Sequence, residues 1–344
     1  MRLDVHAHVI PEDCLQMTYR DTSGRVYGVH AVLRHDGQWQ VQIDGGDWPP
    51  VANAPDRPFD DWFLHIFDME RRIHTLSRMG IDKQAVAIPP FLYFYAADAE
   101  QGLAYARKLN DSIARLVDEY PDHFIAMATV PLQDGELAAR ELDRAVRDLG
   151  MKGVMIGSNV NGRNLDEPGF RPFFAKAEEL GVPIFIHPHY VLAQERLQRY
   201  HLVNLIGNPT DTAVAAASLV FGGVMEEFPR LKVYLAHAGG VVPYIRGRWE
   251  HGWRNNPNAR RAIDRPPSHY LSRFYYDSIA HSGEALSYLV RLVGADKVML
   301  GTDYPFDMGD YQPVQHVESL SDVPAEGRQQ IIEENAPRLF GLIG

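Results

Sequence analysis

Cysteine is nearly missing from this chain. Cys14 is alone among 344 residues, so no disulfide can form within one chain and the fold must rest on its core. No run of eighteen apolar residues occurs, and no membrane span is expected. Positive charge is in deficit. The 34 Lys and Arg against 45 Asp and Glu leave a net charge of −11, which argues against a nucleic-acid-binding surface. An anionic small substrate stays open, because a metal and a few arginines can dominate one pocket. No G-x-G-x-x-G phosphate loop follows a strand-like run, which disfavours an open nucleotide-binding sheet. A strand that starts at residue 3 leaves no room for a secretory leader, so a reducing, cytoplasmic setting is expected.

What is present begins at the first strand. Leu3, Val5, Ala7 and Val9 alternate with Asp4, His6 and His8, the period-two pattern of a strand. Residues two apart share a face at roughly 6.6–6.8 Å, a spacing that suits two imidazoles closing on one metal ion. His-x-His alone is a weak signal. It gains force only if further ligands arrive at the ends of other strands.

Residues 11–58 are rich in Gly, Asp, Trp and Pro. Within them Gln38-Trp39-Gln40-Val41-Gln42-Ile43, followed by Asp44-Gly45-Gly46, reads as a strand of a hairpin in an insertion. A long insertion behind a ligand-bearing strand is expected to form a lid or pocket wall. Beyond it, helices are predicted at about 60–79, 98–120, 135–148, 171–180, 211–228, 283–293 and 324–340. Strands are predicted at 84–88, 124–130, 153–156, 183–187, 232–236, 273–277 and 297–301. Such alternation without a linker implies parallel strands. About eight units over this length predict one (β/α)8 TIM barrel across residues 1–344, with an insertion after its first strand and the active site at the C-terminal strand ends.

The polar residues fall at those ends. One apolar run stops at His187-Pro188-His189, another at His237-Ala238-Gly239-Gly240, a third at Thr302-Asp303-Tyr304-Pro305. In a barrel they converge with His6 and His8 on one mouth, whereas four unrelated surface polar residues would require a coincidence. Two or three imidazoles and a carboxylate make a zinc-type site with an open position for water or substrate. A histidine left unligated can move protons near neutral pH. His237 ranks first for that task and His189 second.

These stretches, with Phe221-Gly222-Gly223-Val224, Glu227-Phe228-Pro229, Leu300-Gly301-Thr302-Asp303-Tyr304-Pro305-Phe306 and Glu334-Asn335-Ala336, resemble the metal-dependent decarboxylase branch of the amidohydrolase superfamily. Within it the aminocarboxymuconate-semialdehyde decarboxylase family is the nearest match. The resemblance runs from residue 3 to the C-terminus. It implies one divalent ion, expected to be zinc, held by His6, His8, His187 and Asp303. It also implies a catalytic role for Asp303 and for His237 as a non-ligand acid/base. Phe306, the His201 position and Arg248 are implied at the substrate, Arg248 reaching across a homodimer. Two-metal relatives use a carboxylated lysine on the fourth strand. Here Gly153-Val154-Met155-Ile156-Gly157 has no strand-end lysine and Lys152 precedes the strand, so one metal is expected. The match departs after the first strand, where Arg25, Arg34 and Arg57 are candidates for a substrate arginine. It departs again after Arg199-Tyr200, where His201 and Asn204 stand in place of aromatics. The leading expectation is a non-oxidative decarboxylase of a small unsaturated or aromatic carboxylate. The alternative is a metal-dependent hydrolase or hydratase of a ring-cleavage product of aromatic catabolism. An inactive metal-stabilised scaffold is disfavoured by the presence of His237.

Overall fold

The computed structural model describes residues 1–15, 17–20, 26–33, 39–44 and 64–343. Eight parallel strands follow one another around a barrel: β1 Leu3–His8, β2 Lys83–Ala87, β3 Phe124–Ala128, β4 Gly153–Gly157, β5 Ile184–His187, β6 Val233–Leu235, β7 Phe274–Asp277 and β8 Val298–Met299. The residues just past β8 close the ring onto β1. Val5 donates to the Leu300 carbonyl at 2.9 Å, Asp303 to that of His6 at 2.8 Å, and His8 to that of Tyr304 at 2.8 Å. The strands are short, β-branched or alanine-rich, and buried almost throughout, as parallel strands covered by helices must be.

Each connecting helix turns one apolar stripe to the barrel. In Gly135–Arg147 the buried Leu137, Ala138, Leu142 and Ala145 recur at helical spacing, and Asp134 caps the N-terminus by accepting from the Glu136 and Leu137 amides. Several predicted boundaries shift for visible reasons. The helix expected over 60–79 occupies Met69–Met79, because Asp68 caps it by accepting from the Arg71 amide; a 3-10 turn, Leu64–Ile66, precedes it. The helix expected over 211–228 starts earlier, at Asn208, and stops at Phe221. Gly223 takes a left-handed φ of 78° and a separate turn follows at Val224–Glu227. The C-terminal helix is interrupted by a π segment, Gln330–Glu334.

In the insertion, Trp39–Asp44 pairs antiparallel with Val26–Leu33, which pairs with Thr18–Arg20. This is the predicted hairpin with one strand more. Arg25, Arg34 and Arg57 lie outside the described residues.

Candidate metal centre and active site

β1 brings His6 and His8 to the barrel mouth, β5 brings His187, and the turn past β8 brings Asp303. One ligand atom from each lies within 4.8 Å of all the others, and all four residues are buried. Their hydrogen bonding shows what the cluster is built for. His6 Nδ1 donates to Asp277 Oδ2 at 2.7 Å, His8 Nδ1 to the Ile88 carbonyl at 3.1 Å, and His187 Nδ1 to the Pro188 carbonyl at 3.0 Å. Each bond commits Nδ1 as the donor and turns Nε2 inward, as a lone pair on His8 and His187 and on His6 once its second proton leaves. The Nε2 atoms of His6, His8 and His187 and Oδ1 of Asp303 are buried without a hydrogen-bond partner. Buried polar atoms are rarely left so. Three nitrogens and one oxygen converging in this way fit a divalent cation.

The electrostatics agree. Burial opposes protonation of His6, yet Asp303 and Asp277 outweigh it and push its imidazolium up to about 10. Burial pushes His8 down, and burial together with the neighbouring His6 pushes His187 well down. Burial works against ionisation of Asp303, but His6, His237 and His8 hold its carboxyl well below the usual range. The cluster therefore carries one negative oxygen, neutral imidazoles at His8 and His187, and on His6 a proton that a metal ion would displace.

The scaffold around the ligands is equally specific. Asp4 is fully buried and its oxygens accept from the His6 amide, the Thr302 amide, the Thr302 hydroxyl and Gln84 Nε2, tying the ligand-bearing strand to the ligand-bearing turn. Gln84 receives Arg72 Nε at 2.9 Å, and both terminal nitrogens of the buried Arg72 donate to the His8 carbonyl.

His237 stands beside the four ligands and remains outside the set. Its Nε2 is 3.6 Å from Asp303 Oδ2 and its side chain is 16% exposed. His237 and Ala238 take left-handed φ of 55° and 53°, and Gly239 and Gly240 continue the turn at 77° and 59°. A Cβ on Gly240 would meet the Pro209 carbonyl oxygen at 2.1 Å, so only glycine fits. The Asp277 carboxylate holds this turn by accepting from the His237 amide at 2.9 Å and the Ala238 amide at 2.7 Å. Sequence reasoning passed over Asp277. Its signal was there, a carboxylate at the last position of a strand.

A cavity of about 420 Å³ opens from His237, between the start of helix Asn208–Phe221 and helices Val242–Asn255 and Gly283–Val293. Asn204, Pro243, Tyr244, His281, Tyr288 and Met308 are among its lining residues. Phe306 lies with its ring 5.1 Å from that of His8, at the ligands. His201 differs from expectation: it is exposed and does not line the cavity, which receives Asn204 instead. The chain takes a left-handed step at Tyr200 and His201 before the helical segment Val203–Gly207 that carries Asn204. Arg248 is exposed on the outer helix, and Arg246 donates to the Leu292 carbonyl at 3.2 Å. Gly157 ends β4 without a side chain, and a Cβ there would meet the Asn159 carbonyl oxygen at 2.9 Å. A ligand lysine at that position has no room.

A barrel with histidines and one aspartate at its C-terminal mouth defines a metal-dependent enzyme of the amidohydrolase type. The Amidohydrolase family model matches residues 3–342, and the chain belongs to that family. It stands there with the carboxy-lyases. It is 35% identical to 2-amino-3-carboxymuconate-6-semialdehyde decarboxylase of Dictyostelium discoideum, over 99% of this chain and 92% of that protein. Among solved structures, 2,6-dihydroxybenzoate decarboxylase complexed with 2,6-dihydroxybenzoate superposes with a TM-score of 0.78 and 27% identity, covering 85% of this chain and 94% of that one. The dihydroxybenzoic acid decarboxylase of Polaromonas, solved with manganese and 2-nitroresorcinol, shares the fold at a TM-score of 0.80 and 24% identity, covering 99% and 97%.

Proposed function

We propose that this chain is a metal-dependent, non-oxidative decarboxylase of a small unsaturated or aromatic carboxylic acid, with an aminocarboxymuconate-semialdehyde-like compound as first candidate. The observation that carries the reading is the set of four inward-facing, unpartnered ligand atoms with an unligated His237 beside them. His6, His8, His187 and Asp303 would hold one divalent ion, zinc on the strength of the three nitrogens and one oxygen. When bound, such an ion would supply Lewis acidity. His237 handles the proton. As the bond to the carboxyl carbon breaks, its electron pair stays on the substrate carbon, which takes a proton from the His237 imidazolium, and carbon dioxide leaves. The partly exposed imidazole recovers its proton from solvent. Asp303 Oδ2 orients it and shares the catalytic role.

No Lys or Arg lines the cavity among the described residues. A second carboxylate on the substrate would need a cation from elsewhere, and Arg248 of a second copy is the candidate. Arg248 sits one helical turn beyond Tyr244, which is 87% exposed and lines the cavity together with the exposed Leu205. A homodimer docked on this face would bring the arginine to its partner's mouth. Phe306 supplies the apolar wall beside His8; most of the insertion expected to form a lid lies outside the described residues. No described helix is long and apolar enough to cross a membrane, in keeping with a cytoplasmic enzyme. Incubation with 2-amino-3-carboxymuconate-6-semialdehyde, 2,6-dihydroxybenzoate and 5-carboxyvanillate, with carbon dioxide and product followed together, tests the reaction. Cleavage or hydration without carbon dioxide would replace it with the hydrolase reading.

A further inference from the structure

Asp211 has no task in the reaction just described, yet its carboxylate is buried, with the residue only 4% exposed. It lies in the first turn of helix Asn208–Phe221. Its oxygens accept from neutral donors. Oδ1 takes the Leu192 amide at 3.0 Å, and Oδ2 takes Asn159 Nδ2 at 3.1 Å and Ser158 Oγ. No Lys, Arg or His pairs with it among the described residues. Burying a carboxylate without a cation carries a desolvation penalty that an apolar residue would avoid. Its partners show what it is kept for.

Those partners converge on the segment that carries His187. The chain leaves β5 through Pro188, His189 and Tyr190, and Tyr190 and Ala193 take left-handed φ of 52° and 57° without being glycine. Such a path persists only where its surroundings hold it. The His187 carbonyl accepts from the Ser158 amide at 3.1 Å, and the His189 amide donates to Ser158 Oγ at 3.3 Å. The His189 and Tyr190 carbonyls accept from Asn159 Nδ2 at 2.9 and 3.1 Å. Asp211 fastens Ser158, Asn159 and Leu192 at once and so closes a bracket around this loop. Inside the bracket sits the Pro188 carbonyl, 3.0 Å from His187 Nδ1, the acceptor that turns the unpartnered Nε2 toward the other ligands. On the far side, Asn208 and Pro209 open the Asp211 helix and line the cavity beside His237. The Pro209 carbonyl there accepts from the Val241 amide at 3.2 Å.

We propose that Asp211 is a positioning residue: it locks the loop after β5 so that the Pro188 carbonyl aims the His187 imidazole at the metal position. The proposal rests on the metal-dependent reading of the site. Asp211 acts through Ser158, Asn159 and the loop, and needs no contact with metal or substrate. A ligand whose ring is no longer held in place coordinates more weakly and in an altered geometry.

The test loads cobalt(II) into the metal-free protein, because its visible absorption reports the geometry of the ligands around it. Wild type and Asp211→Asn are compared by chelator competition, by the visible spectrum at cobalt saturation and by thermal melting of the apoproteins. Asparagine keeps the shape but offers a single acceptor oxygen where Ser158, Asn159 and Leu192 all donate. Asp211→Asn should bind cobalt about tenfold or more weakly and show a shifted or weakened band at saturation. Wild-type affinity or a wild-type spectrum in the folded variant, whatever its melting temperature, would make Asp211 a structural residue and overturn the proposal. Should Asp211→Asn fail to fold, Ser158→Ala decides by the same two readouts, since it keeps the carboxylate and cuts its link to the His189 amide. Wild type that takes up no cobalt would overturn the metal reading itself, a failure seen before any variant is compared.

Discussion

Asp277 grips His6 from behind: Oδ2 lies 2.7 Å from Nδ1 of a fully buried imidazole. The same carboxylate accepts from the amides of His237 and Ala238. One side chain at the end of β7 therefore orients His6, a candidate metal ligand, and fixes the turn that presents His237, the proposed acid/base.

Asp277→Asn should weaken both functions at once, because an amide nitrogen must then face either the His6 ring or the backbone amides. Outer-shell partners of this kind are worth about 10–100-fold in metal affinity or activity. Chelator competition and turnover measured on the same preparation check this, and wild-type values for both would remove Asp277 from the supporting shell.

Purified protein should carry about one divalent ion per chain, as one closed ligand set allows. His6→Ala and Asp303→Ala should each lose the metal and the activity. Elemental analysis reads both stoichiometry and identity. Full occupancy in Asp303→Ala would strike Asp303 from the ligands, and manganese or iron in place of zinc would correct the metal alone.

Metal uptake by the apoprotein should release a proton. His6 holds its proton up to about 10 through Asp303 and Asp277, against the opposing effect of burial, while His8 and His187 are pushed down and already neutral. A coordinating His6 must be neutral, so between neutral pH and the His6 value one proton leaves for each ion bound. Affinity should then rise about tenfold per pH unit in that window and flatten above it. Calorimetry in buffers of different ionisation enthalpy counts the proton directly, and a pH-independent affinity would contradict the protonation of His6.

His237→Ala should keep its metal and lose most turnover, on the order of 10²–10⁴-fold for a general acid–base group. Loss of the ion in this variant would make His237 a ligand and reverse the role assigned to it.

Arg248→Ala and His237→Ala should each be inactive as homodimers. If Arg248 reaches across the interface, mixing them should restore activity, since a mixed dimer assembles one site with both wild-type residues. Subunit exchange confirmed by mass with no recovered activity would leave Arg248 a surface residue.

The periodicities and the strand ends made the barrel legible. Eight alternations of strand and helix admit few topologies, and parallel strands deliver their C-terminal residues to one mouth whatever the details of packing. His6 and His8 two apart on β1, His187 after an apolar run and Asp303 after another were visible because strand geometry alone aims them. Boundaries were less legible, since a cap such as Asp68 or a left-handed glycine such as Gly223 decides them locally against a continuing apolar pattern.

Only the tertiary structure decided what depends on contacts between distant segments. Asp277 is 271 residues from His6 in the chain, and no spacing rule links them. Asn204 rather than His201 lines the cavity, past two left-handed residues that no periodicity encodes. The amino-acid sequence by itself determined the barrel and brought His6, His8, His187, His237 and Asp303 to its mouth, because those follow from local repeat and strand direction; the choice of metal ligands among them came from the family resemblance. The folded packing decided which groups hold those side chains in place and which of their atoms are left unpartnered, because satisfaction of a buried polar atom is a property of its three-dimensional neighbours.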